Sequence, residues 1–327
     1  MRVVVIGATG HVGSYLVPRL VRAGHDVVAI SRGEREPYHR DDAWERAERI
    51  RLDRDAEEAA GTFGRAIADL NADAVVDMVC FTRESAEHLV EALRGRASLL
   101  VSCGSIWSRG TLTAVPADED EGGAPWGDYG VGKAEIEELL LAESRRPDGL
   151  PSIVLHPGHI SGPGWPVINP AGNLDTTVWE RLATAEELVL PNLGLETLHH
   201  VHADDVAQAF QLAVEKGVED PDAVAGHAYY VVSERALTLR GFADAVADWF
   251  GAEANLRFAP IEEFRASTTP EHAETSLAHV SRSHSMSIEK ARRQLGYSPR
   301  YTSLDAVREA VSWQQRNSGL GVPALAE

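Results

Sequence analysis

The pair of residues with the clearest chemical use in this 327-residue sequence is Tyr129 and Lys133, in the segment YGVGK. Residues four apart share one face of a helix, so a hydroxyl and an ammonium would point into the same space. A phenol has a pKa near 10, and acid/base work near neutrality requires a lower value, which a nearby cation could provide. The pair predicts a general acid/base site, although an exposed Tyr and Lys at this spacing would also be ordinary.

A glycine-rich turn near the start of the chain is a second candidate site. Apolar residues 3–6 lead into GATGHVG and then into a helix-compatible run, which predicts a strand, a tight turn and a helix. Glycines let a backbone approach a pyrophosphate, and the N–H groups at the helix N-terminus can bind it. A second strand follows after one helix length, so the context favours a dinucleotide site over a plain turn. Its residues are Gly7, Thr9, Gly10, His11, Val12 and Gly13.

Strand and helix patterns alternate through the first half of the chain. The predicted strands are 26–30, 49–52, 73–80, 98–103 and 152–156, and the predicted helices include 55–70, 83–93 and 134–143. Such alternation indicates parallel strands joined by right-handed crossovers, with helices on both faces. After Pro157 the chain becomes rich in Gly and Pro and then irregular. We therefore predict an α/β fold: a Rossmann doubly wound parallel sheet with a second, smaller C-terminal substrate lobe.

The composition disfavours several classes of partner. A net charge of -19 repels nucleic-acid phosphates and anionic lipid surfaces. Cys80 and Cys103 fall in predicted strands without a ligand-like spacing, as is usual in a reducing cytosol. The N-terminus shows no targeting signal, and no apolar run reaches the ~18 residues that span a membrane. We expect a cytoplasmic protein that binds a small molecule, and neither nucleic acid nor membranes.

Several motifs together resemble the extended short-chain dehydrogenases/reductases, often called NAD-dependent epimerase/dehydratases. They are Gly7-x-x-Gly10-x-x-Gly13, Tyr129-x-x-x-Lys133, VHADDVA at 201–207 and ARRQLGYSP at 291–299. The resemblance implies a Rossmann domain at residues 1–165, with segments near 199–216 and 280–290 returning to it. It implies a mainly substrate-binding lobe at residues 166–327, and a homodimer. Tyr129 would be the general acid/base, and Lys133 would hold the cofactor ribose and lower the Tyr pKa.

One departure from that family concerns the hydroxyl that polarises the substrate oxygen. Cys103 stands where a catalytic Ser or Thr is expected, and a thiol is a poor hydrogen-bond donor. Ser105 or Ser102 must then take the role, or the site works without it; we favour Ser105. Gly104 and Ser105 also occupy the places of the acidic pair found in sugar-nucleotide dehydratases. Dehydration by that route is therefore not expected.

The choice of cofactor depends on the end of the second strand, where an acidic residue would select NAD. This chain has Ser31 and Arg32 there, which suit the 2′-phosphate of NADP. NAD stays possible if Arg32 merely stacks on adenine. Asp53 resembles the family's adenine-contacting Asp, although it could equally cap the next helix. Lys133 and His156 complete the expected cofactor contacts.

The substrate positions also differ from the resembled family. In the segment 156–164, His156 replaces the usual Arg, and the Asn that meets the substrate is missing. Leu198 stands where sugar-nucleotide enzymes often carry an Arg for the diphosphate, although Arg282 could still reach that region. In a site without cations, a diphosphate would lose its hydration and gain few charge-assisted hydrogen bonds in exchange. A less charged substrate becomes plausible.

Two clusters of aromatic or ligand-type residues leave alternatives open. His200 and His202 share a face of an extended segment and could bind a metal, but structural and helix-capping roles explain the segment better, so we expect no metal. Four tryptophans border the expected cleft and could either form an aromatic wall or fill the interface between lobes. They are Trp107, Trp126, Trp165 and Trp179.

These observations predict an NAD(P)-dependent oxidoreductase or epimerase, with NADP as the first choice. It would transfer hydride at a secondary alcohol or ketone of a sugar-like or natural-product small molecule, with Tyr129 exchanging the proton on oxygen. The alternative is a non-catalytic member of the same fold that senses the dinucleotide or binds a partner or RNA. The absence of Ser or Thr at position 103 and the altered substrate positions motivate that alternative.

Overall fold

The computed structural model describes residues 1–325, and the elements below lie in that range. The strands are β1 (Arg2–Ile6), β2 (Asp26–Ser31), β3 (Glu48–Arg51), β4 (Ala74–Asp77), β5 (Leu99–Cys103), β6 (Ser152–Pro157), β7 (His159–Ser161), β8 (Leu188–Pro191), β9 (Thr197–Leu198), β10 (His200–His202), β11 (His227–Val231), β12 (Leu237–Thr238) and β13 (Leu256–Ala259).

The α-helices connect and cover these strands. They are α1 (Gly13–Arg22), α2 (Arg54–Ala59), α3 (Phe63–Ala68), α4 (Arg83–Leu93), α5 (Asp128–Ser144), α6 (Thr177–Ala183), α7 (Ala203–Glu219), α8 (Pro221–Val224), α9 (Leu239–Trp249), α10 (Ile261–Ala266), α11 (Pro270–Val280), α12 (Glu289–Leu295) and α13 (Ser303–Asn317). Short 3-10 turns occur at Asp42–Arg46 and Ile106–Ser108. No helix within residues 1–325 is both long and apolar enough to cross a bilayer.

The main sheet of the described chain has seven parallel strands in the order β3-β2-β1-β4-β5-β6-β11. From β1 the chain winds outward to β3, then crosses back to β4 and winds the other way. The two halves diverge between β1 and β4, and ligands of such sheets bind beyond the carboxyl ends at that point. The predicted Rossmann fold is confirmed.

Alternating side chains on each central strand give the sheet a core on both faces. In β1, Val3 and Val5 pack into the cluster that contains α1 and α7, whereas Val4 and Ile6 pack with α3, α4 and α5. Successive strand residues point to opposite faces, so a strand covered on both sides must be apolar throughout. The run Val3 to Ile6 therefore reflects a central strand.

Some element boundaries differ from the sequence prediction. The predicted helix at 55–70 is two helices, α2 and α3, separated at Gly61, and the predicted strand 73–80 is only β4, residues 74–77. The helix that carries Tyr129 begins at Asp128 rather than at 134. The seventh strand, β11, was not predicted; it lies in the C-terminal part of the chain, where strand and helix patterns no longer alternate.

The C-terminal part of the chain has a core of its own. Residues of α6, α9 and α13 pack there with β8 and β9, apart from both faces of the main sheet. The segment nevertheless returns to the sheet through α7, β11 and α12. The division near residue 165 stays a prediction.

A buried ion pair fixes α2 to the end of β4, beside the switch point. The guanidinium of Arg54 donates two hydrogen bonds, of 2.8 and 2.9 Å, to the carboxylate of Asp77, and both residues are buried. Replacing Asp77 with Asn should lower the free energy of unfolding by about 2–3 kcal/mol, since the charge-assisted bonds are lost while Glu58 still contacts Arg54.

Urea unfolding of the Asp77→Asn variant measures this cost. Asp26→Asn is the control, because Asp26 pairs with Arg2 at the surface and its side chain is 60% exposed. We expect that control to change stability by less than about 1 kcal/mol. An equal decrease in the free energy of unfolding in the two variants would show that the Arg54–Asp77 pair stabilises the fold no more than a surface ion pair does.

Candidate active site

The glycine-rich turn brings α1 unusually close to β1. Gly7 has a φ of +87°, a conformation that other L-residues rarely adopt. A Cβ on Gly13 would lie only 2.2 Å from the carbonyl oxygen of Ala8, so any larger residue would push the helix away from the turn. Val12 supplies no side-chain cap to α1. Ser14 and Tyr15 donate their N–H groups to backbone carbonyls, which leaves the N–H groups of Val12 and Gly13 for an anion such as a pyrophosphate.

A cleft of about 290 Å³ opens from this turn across the carboxyl ends of β1 and β2. Six of the residues predicted to contact the cofactor line it together: Gly7, Thr9, Gly10, Ser31, Arg32 and Asp53. His11, Val12 and Gly13 belong to the same turn but do not line the cleft. The glycine cradle and this elongated set of polar groups fit a dinucleotide, with the adenosine end beyond β2.

The adenosine end of the cleft carries two arginines. The Arg32 guanidinium lies 3.2 Å from the carboxylate of Glu34, and both side chains are more than half exposed. Arg35 lies over the ring of Tyr38 and donates a hydrogen bond to its hydroxyl. Asp53 caps α2, accepting a hydrogen bond of 3.2 Å from the N–H of Ala56, while it also lines the cleft. This end of the cleft therefore presents the cations of Arg32 and Arg35 together with the carboxylates of Glu34 and Asp53.

Lys133 is held in place by backbone carbonyls. Its ammonium donates hydrogen bonds of 2.8 Å to the carbonyl of Cys80 and 2.7 Å to that of Cys103, and the residue is only 2% exposed. The nitrogen lies 5.8 Å from the centre of the Tyr129 ring. One turn of α5 therefore presents the cation and the phenol to the same side, as the spacing predicts.

Tyr129 stands at the mouth of the site, 44% exposed, between the rings of Phe81 and Trp107. Desolvation of the phenol raises the pKa of Tyr129 to about 12, while a hydrogen bond with Ser105 acts in the opposite direction. The phenol is therefore protonated at neutral pH in the protein alone. It becomes a base only when additional positive charge is brought near it.

Of the three candidates for the hydroxyl role, Ser105 is the one that contacts Tyr129. Its Oγ accepts a hydrogen bond of 3.1 Å from the N–H of Trp107 and thereby caps the 3-10 turn that follows β5. Ser102 is buried within β5. Burial raises the pKa of the Cys103 thiol, so it stays protonated beside the site.

His156 lies behind the site and not in the cleft. It is fully buried at the end of β6, where its Nδ1 accepts a hydrogen bond of 2.9 Å from the N–H of Ser105. Its Nε2 lies 3.2 Å from a carboxylate oxygen of Glu137, which in turn pairs with Arg109. Sequence reasoning did not single out Glu137 or Arg109. The signal for Glu137 is its position four residues after Lys133, on the same buried face of α5.

The four tryptophans were expected either to form an aromatic wall of the cleft or to fill the interface between lobes, and no single description applies to all of them. Trp165 stacks on the ring of His11, 5.7 Å between centres, and so joins the loop after β7 to the glycine-rich turn. Trp179 is buried in the C-terminal core. Trp107 and Trp126 enclose the guanidinium of Arg282, which lies 4.0 and 4.2 Å from their ring centres.

The positions expected to meet a diphosphate are closed. Leu198 is fully buried in the C-terminal core. Arg282 is 4% exposed, and its guanidinium donates hydrogen bonds to the carbonyls of Ala278 and Trp126. Neither position offers a free cation to the cleft.

Several buried histidines lie where the C-terminal part joins the sheet. Burial lowers the pKa of His199 and His284 to about 4 and that of His200 to about 3. His200 and Ser161 are 2.8 Å apart, and His199 contacts the carbonyl of Ser233. Within residues 1–325, no group of three or more His, Cys, Asp or Glu could hold a metal ion.

Comparison with known proteins identifies the family. A model of the NAD dependent epimerase/dehydratase family matches residues 3–229. The chain belongs to this family. The predicted class, an NAD(P)-dependent oxidoreductase or epimerase, is confirmed, and the cofactor is a nicotinamide dinucleotide.

The individual relatives differ in activity. A 2'-dehydrokanamycin reductase of Streptomyces kanamyceticus is 32% identical over 142 residues, which cover 43% of this chain and 38% of that protein. A UDP-glucose 4-epimerase of Mycolicibacterium smegmatis is 29% identical over 64% of this chain and 72% of its own length. The UDP-glucose 4-epimerase of Thermotoga maritima, solved with UDP-glucose, shares the fold, with a TM-score of 0.70 at 18% identity over 97% of this chain and 100% of that one.

The buried histidines predict that the protein loses stability in acid. Each has a folded-state pKa below the ordinary value of 6.5, so the unfolded chain takes up a proton that the folded chain excludes. The free energy of unfolding should therefore fall as the pH drops from about 6.5 towards 4. One such histidine contributes up to about 1.4 kcal/mol per pH unit in that window.

Urea unfolding at a series of pH values between 7 and 5 tests this dependence. In the His200→Asn variant, the slope of the free energy of unfolding against pH should be smaller by about 1 kcal/mol per pH unit. This variant lacks one histidine that takes up a proton only when the chain unfolds. His88, exposed on α4, is the control, and His88→Asn should keep the wild-type slope. If His200→Asn keeps that slope too, His200 does not exclude a proton on folding.

Proposed function

We propose that this protein is an NADP-dependent oxidoreductase that transfers hydride to or from a secondary alcohol or ketone of a sugar-like small molecule carrying no nucleoside diphosphate. The observation that carries the proposal is the meeting of Tyr129, Lys133 and Ser105 beyond the carboxyl end of β5, beside a cleft that fits a dinucleotide. A homodimer and a cytoplasmic location stay predictions.

The chemistry at oxygen belongs to Tyr129 and Ser105. The nicotinamide cofactor supplies or accepts the hydride when bound. In the reductive direction, the Tyr129 hydroxyl gives its proton to the carbonyl oxygen of the substrate, while Ser105 donates a hydrogen bond to the same oxygen. In the oxidative direction, the phenolate of Tyr129 takes the proton back. The ammonium of Lys133 favours that phenolate, and its two carbonyl contacts keep it from moving away.

The closed positions of Leu198 and Arg282 favour a substrate without a diphosphate. A charged diphosphate entering this site would find neither a free guanidinium nor a replacement for its lost hydration. The likeness to a 2'-dehydrokanamycin reductase supports the same choice, because that relative is named for a ketone on an aminoglycoside. We therefore favour reduction of a keto-glycoside.

A second candidate is epimerisation of a nucleotide sugar, favoured by the likeness to a UDP-glucose 4-epimerase. The two candidates differ in their use of cofactor. Reduction of 2'-dehydrokanamycin consumes NADPH and lowers absorbance at its reduced nicotinamide band, whereas conversion of UDP-glucose leaves the cofactor unchanged. Incubating the protein with each substrate in turn separates them.

The Tyr129→Phe variant tests the proposed acid/base. Turnover should fall by about 10³-fold, since general acid/base catalysis commonly contributes 10²–10⁴-fold, while NADPH affinity stays the same. Hydride transfer is followed by nicotinamide absorbance and binding by NADPH fluorescence. Tyr301→Phe, on the segment before α13 and away from the cleft, is the matched control. Undiminished turnover in Tyr129→Phe would refute the assignment.

The Arg32→Ala variant tests the choice of cofactor. NADPH affinity should fall by about 10- to 100-fold, because a charge-assisted contact to the 2′-phosphate is lost, and NADH affinity should stay within twofold. Glu34→Gln should act in the opposite direction and tighten NADPH binding, since Glu34 competes for Arg32. An equal loss for both cofactors in Arg32→Ala would mean that Arg32 only stacks on adenine.

A further inference from the structure

A chain of three polar side chains, the partly buried Arg109 and the buried Glu137 and His156, runs underneath the site. Arg109 donates hydrogen bonds of 2.7 and 2.8 Å to the two carboxylate oxygens of Glu137. One of those oxygens lies 3.2 Å from Nε2 of the fully buried His156. A buried ion pair gains little stability over an apolar replacement, so its presence here calls for another reason.

The contact between His156 and Ser105 determines the tautomer of the imidazole. The backbone N–H of Ser105 points at Nδ1, 2.9 Å away, and a backbone N–H can only donate. Nδ1 is therefore unprotonated, and the proton of the neutral ring is on Nε2, next to Glu137. The carboxylate 3.2 Å from Nε2 favours this tautomer by its charge, although the two groups do not form a hydrogen bond.

The same contacts fix the orientation of Ser105. Its backbone is held by His156, and its Oγ accepts a hydrogen bond from the N–H of Trp107. With an acceptor position of Oγ used in this way, the hydroxyl proton is left for Tyr129 or a substrate oxygen. Ser105 is thus anchored at two points, and His156 provides one of them.

The imidazole also fills the space beside Gly104. A Cβ at that residue would lie 2.3 Å from Nδ1 of His156, so no side chain fits there. The same geometry explains why position 104 carries no carboxylate. The space that a side chain would need is taken by the ring that holds Ser105.

We propose that His156 and Glu137 are positioning residues that hold Ser105 against Tyr129, and that Arg109 keeps Glu137 in place for this task. This inference rests on the proposed function of Tyr129 and Ser105. Glu137 stays ionised although burial opposes it: the hydrogen bonds from Arg109 and the neighbouring His156 hold the pKa of its carboxyl well below the usual range.

Other polar groups also face this chain, and none of them replaces Glu137. The ring of Tyr230, on β11, lies 6.0 Å from that of His156, and Ser108 lies 3.5 Å from Nδ1. The buried carboxylate of Glu119 accepts from the N–H of Tyr230, and its backbone carbonyl accepts from Arg109. The test therefore changes Glu137 and His156 and leaves these groups unaltered.

Alkaline titration of Tyr129 in the NADP⁺ complex is the main measurement, because it requires no substrate. The tyrosinate absorbance of each variant is compared with that of the same variant carrying Tyr129→Phe, which isolates Tyr129. The Glu137→Gln variant should raise the titration midpoint of Tyr129 by about 1 pH unit, because a misplaced Ser105 no longer stabilises the phenolate.

Glu143→Gln is the matched control. Glu143 lies on the same helix, is also buried, and also receives two hydrogen bonds from one arginine, Arg94, but it does not touch His156. Both variants lose a buried ion pair and should unfold at lower urea concentrations than the wild type. Only Glu137→Gln should move the Tyr129 midpoint.

Two replacements of His156 give a rescue test. The side-chain oxygen of Asn can accept from the Ser105 N–H at the place of Nδ1, whereas Leu cannot. His156→Leu should therefore raise the Tyr129 midpoint as Glu137→Gln does, and His156→Asn should restore most of the wild-type value. The wild type is also assayed with 2'-dehydrokanamycin and with UDP-glucose. With the substrate that it turns over, kcat should be about tenfold lower in Glu137→Gln and in His156→Leu, with KM little changed.

The outcomes separate the two proposals. If Glu137→Gln behaves like Glu143→Gln, or if His156→Asn is no better than His156→Leu, the positioning role is overturned. If Tyr129→Phe keeps its turnover, the proposed function fails instead, and the titration still reports whether His156 and Glu137 place Ser105 beside Tyr129.

Discussion

The site depends on the burial of one ammonium. Lys133 is almost entirely removed from water, and the carbonyls of Cys80 and Cys103 replace the lost hydration. Those carbonyls follow β4 and end β5, so a single side chain ties α5 to two neighbouring strands. The position of Tyr129, one turn earlier, follows from that attachment. A helix packed only by apolar contacts could rotate or slide by a fraction of a turn; one that must satisfy a buried cation cannot do so without leaving it unsolvated.

Local patterns were sufficient to predict most of the sheet and to point to both halves of the candidate site. The apolar run before Gly7, the spacing of Tyr129 and Lys133, and the Ser-Arg pair after β2 each carry their information within a few residues. The remaining features of the structure depend on contacts between segments that are distant in sequence. β11 joins β6 from more than seventy positions away, and nothing in its own five residues shows that they pair with β6. The placement of His156 likewise depends on α5 and on the loop after β5, so its sequence context suggested a cofactor contact whereas the structure buries it behind Ser105.

The departures from the resembled family form a consistent set in three dimensions. A thiol at position 103 removes one hydroxyl, and Ser105 presents another to Tyr129 from two residues further on. Gly104 makes room for His156, and His156 holds the backbone of Ser105. On the substrate side, Leu198 joins an apolar core and Arg282 is enclosed by two tryptophans. Each change would look like a loss if considered alone. Together they support the proposal of a site that carries out acid/base chemistry on a substrate without a diphosphate.

The fit between Gly104 and His156 also constrains how this sequence can evolve. A side chain at 104 cannot be accommodated while the imidazole is present, and removing the imidazole first leaves the N–H of Ser105 without an acceptor in a buried place. The two positions therefore depend on each other: a side chain at 104 requires that the imidazole be replaced, and any replacement of His156 must still offer an acceptor to the N–H of Ser105. A carboxylate at position 104 would therefore need a second substitution, at position 156.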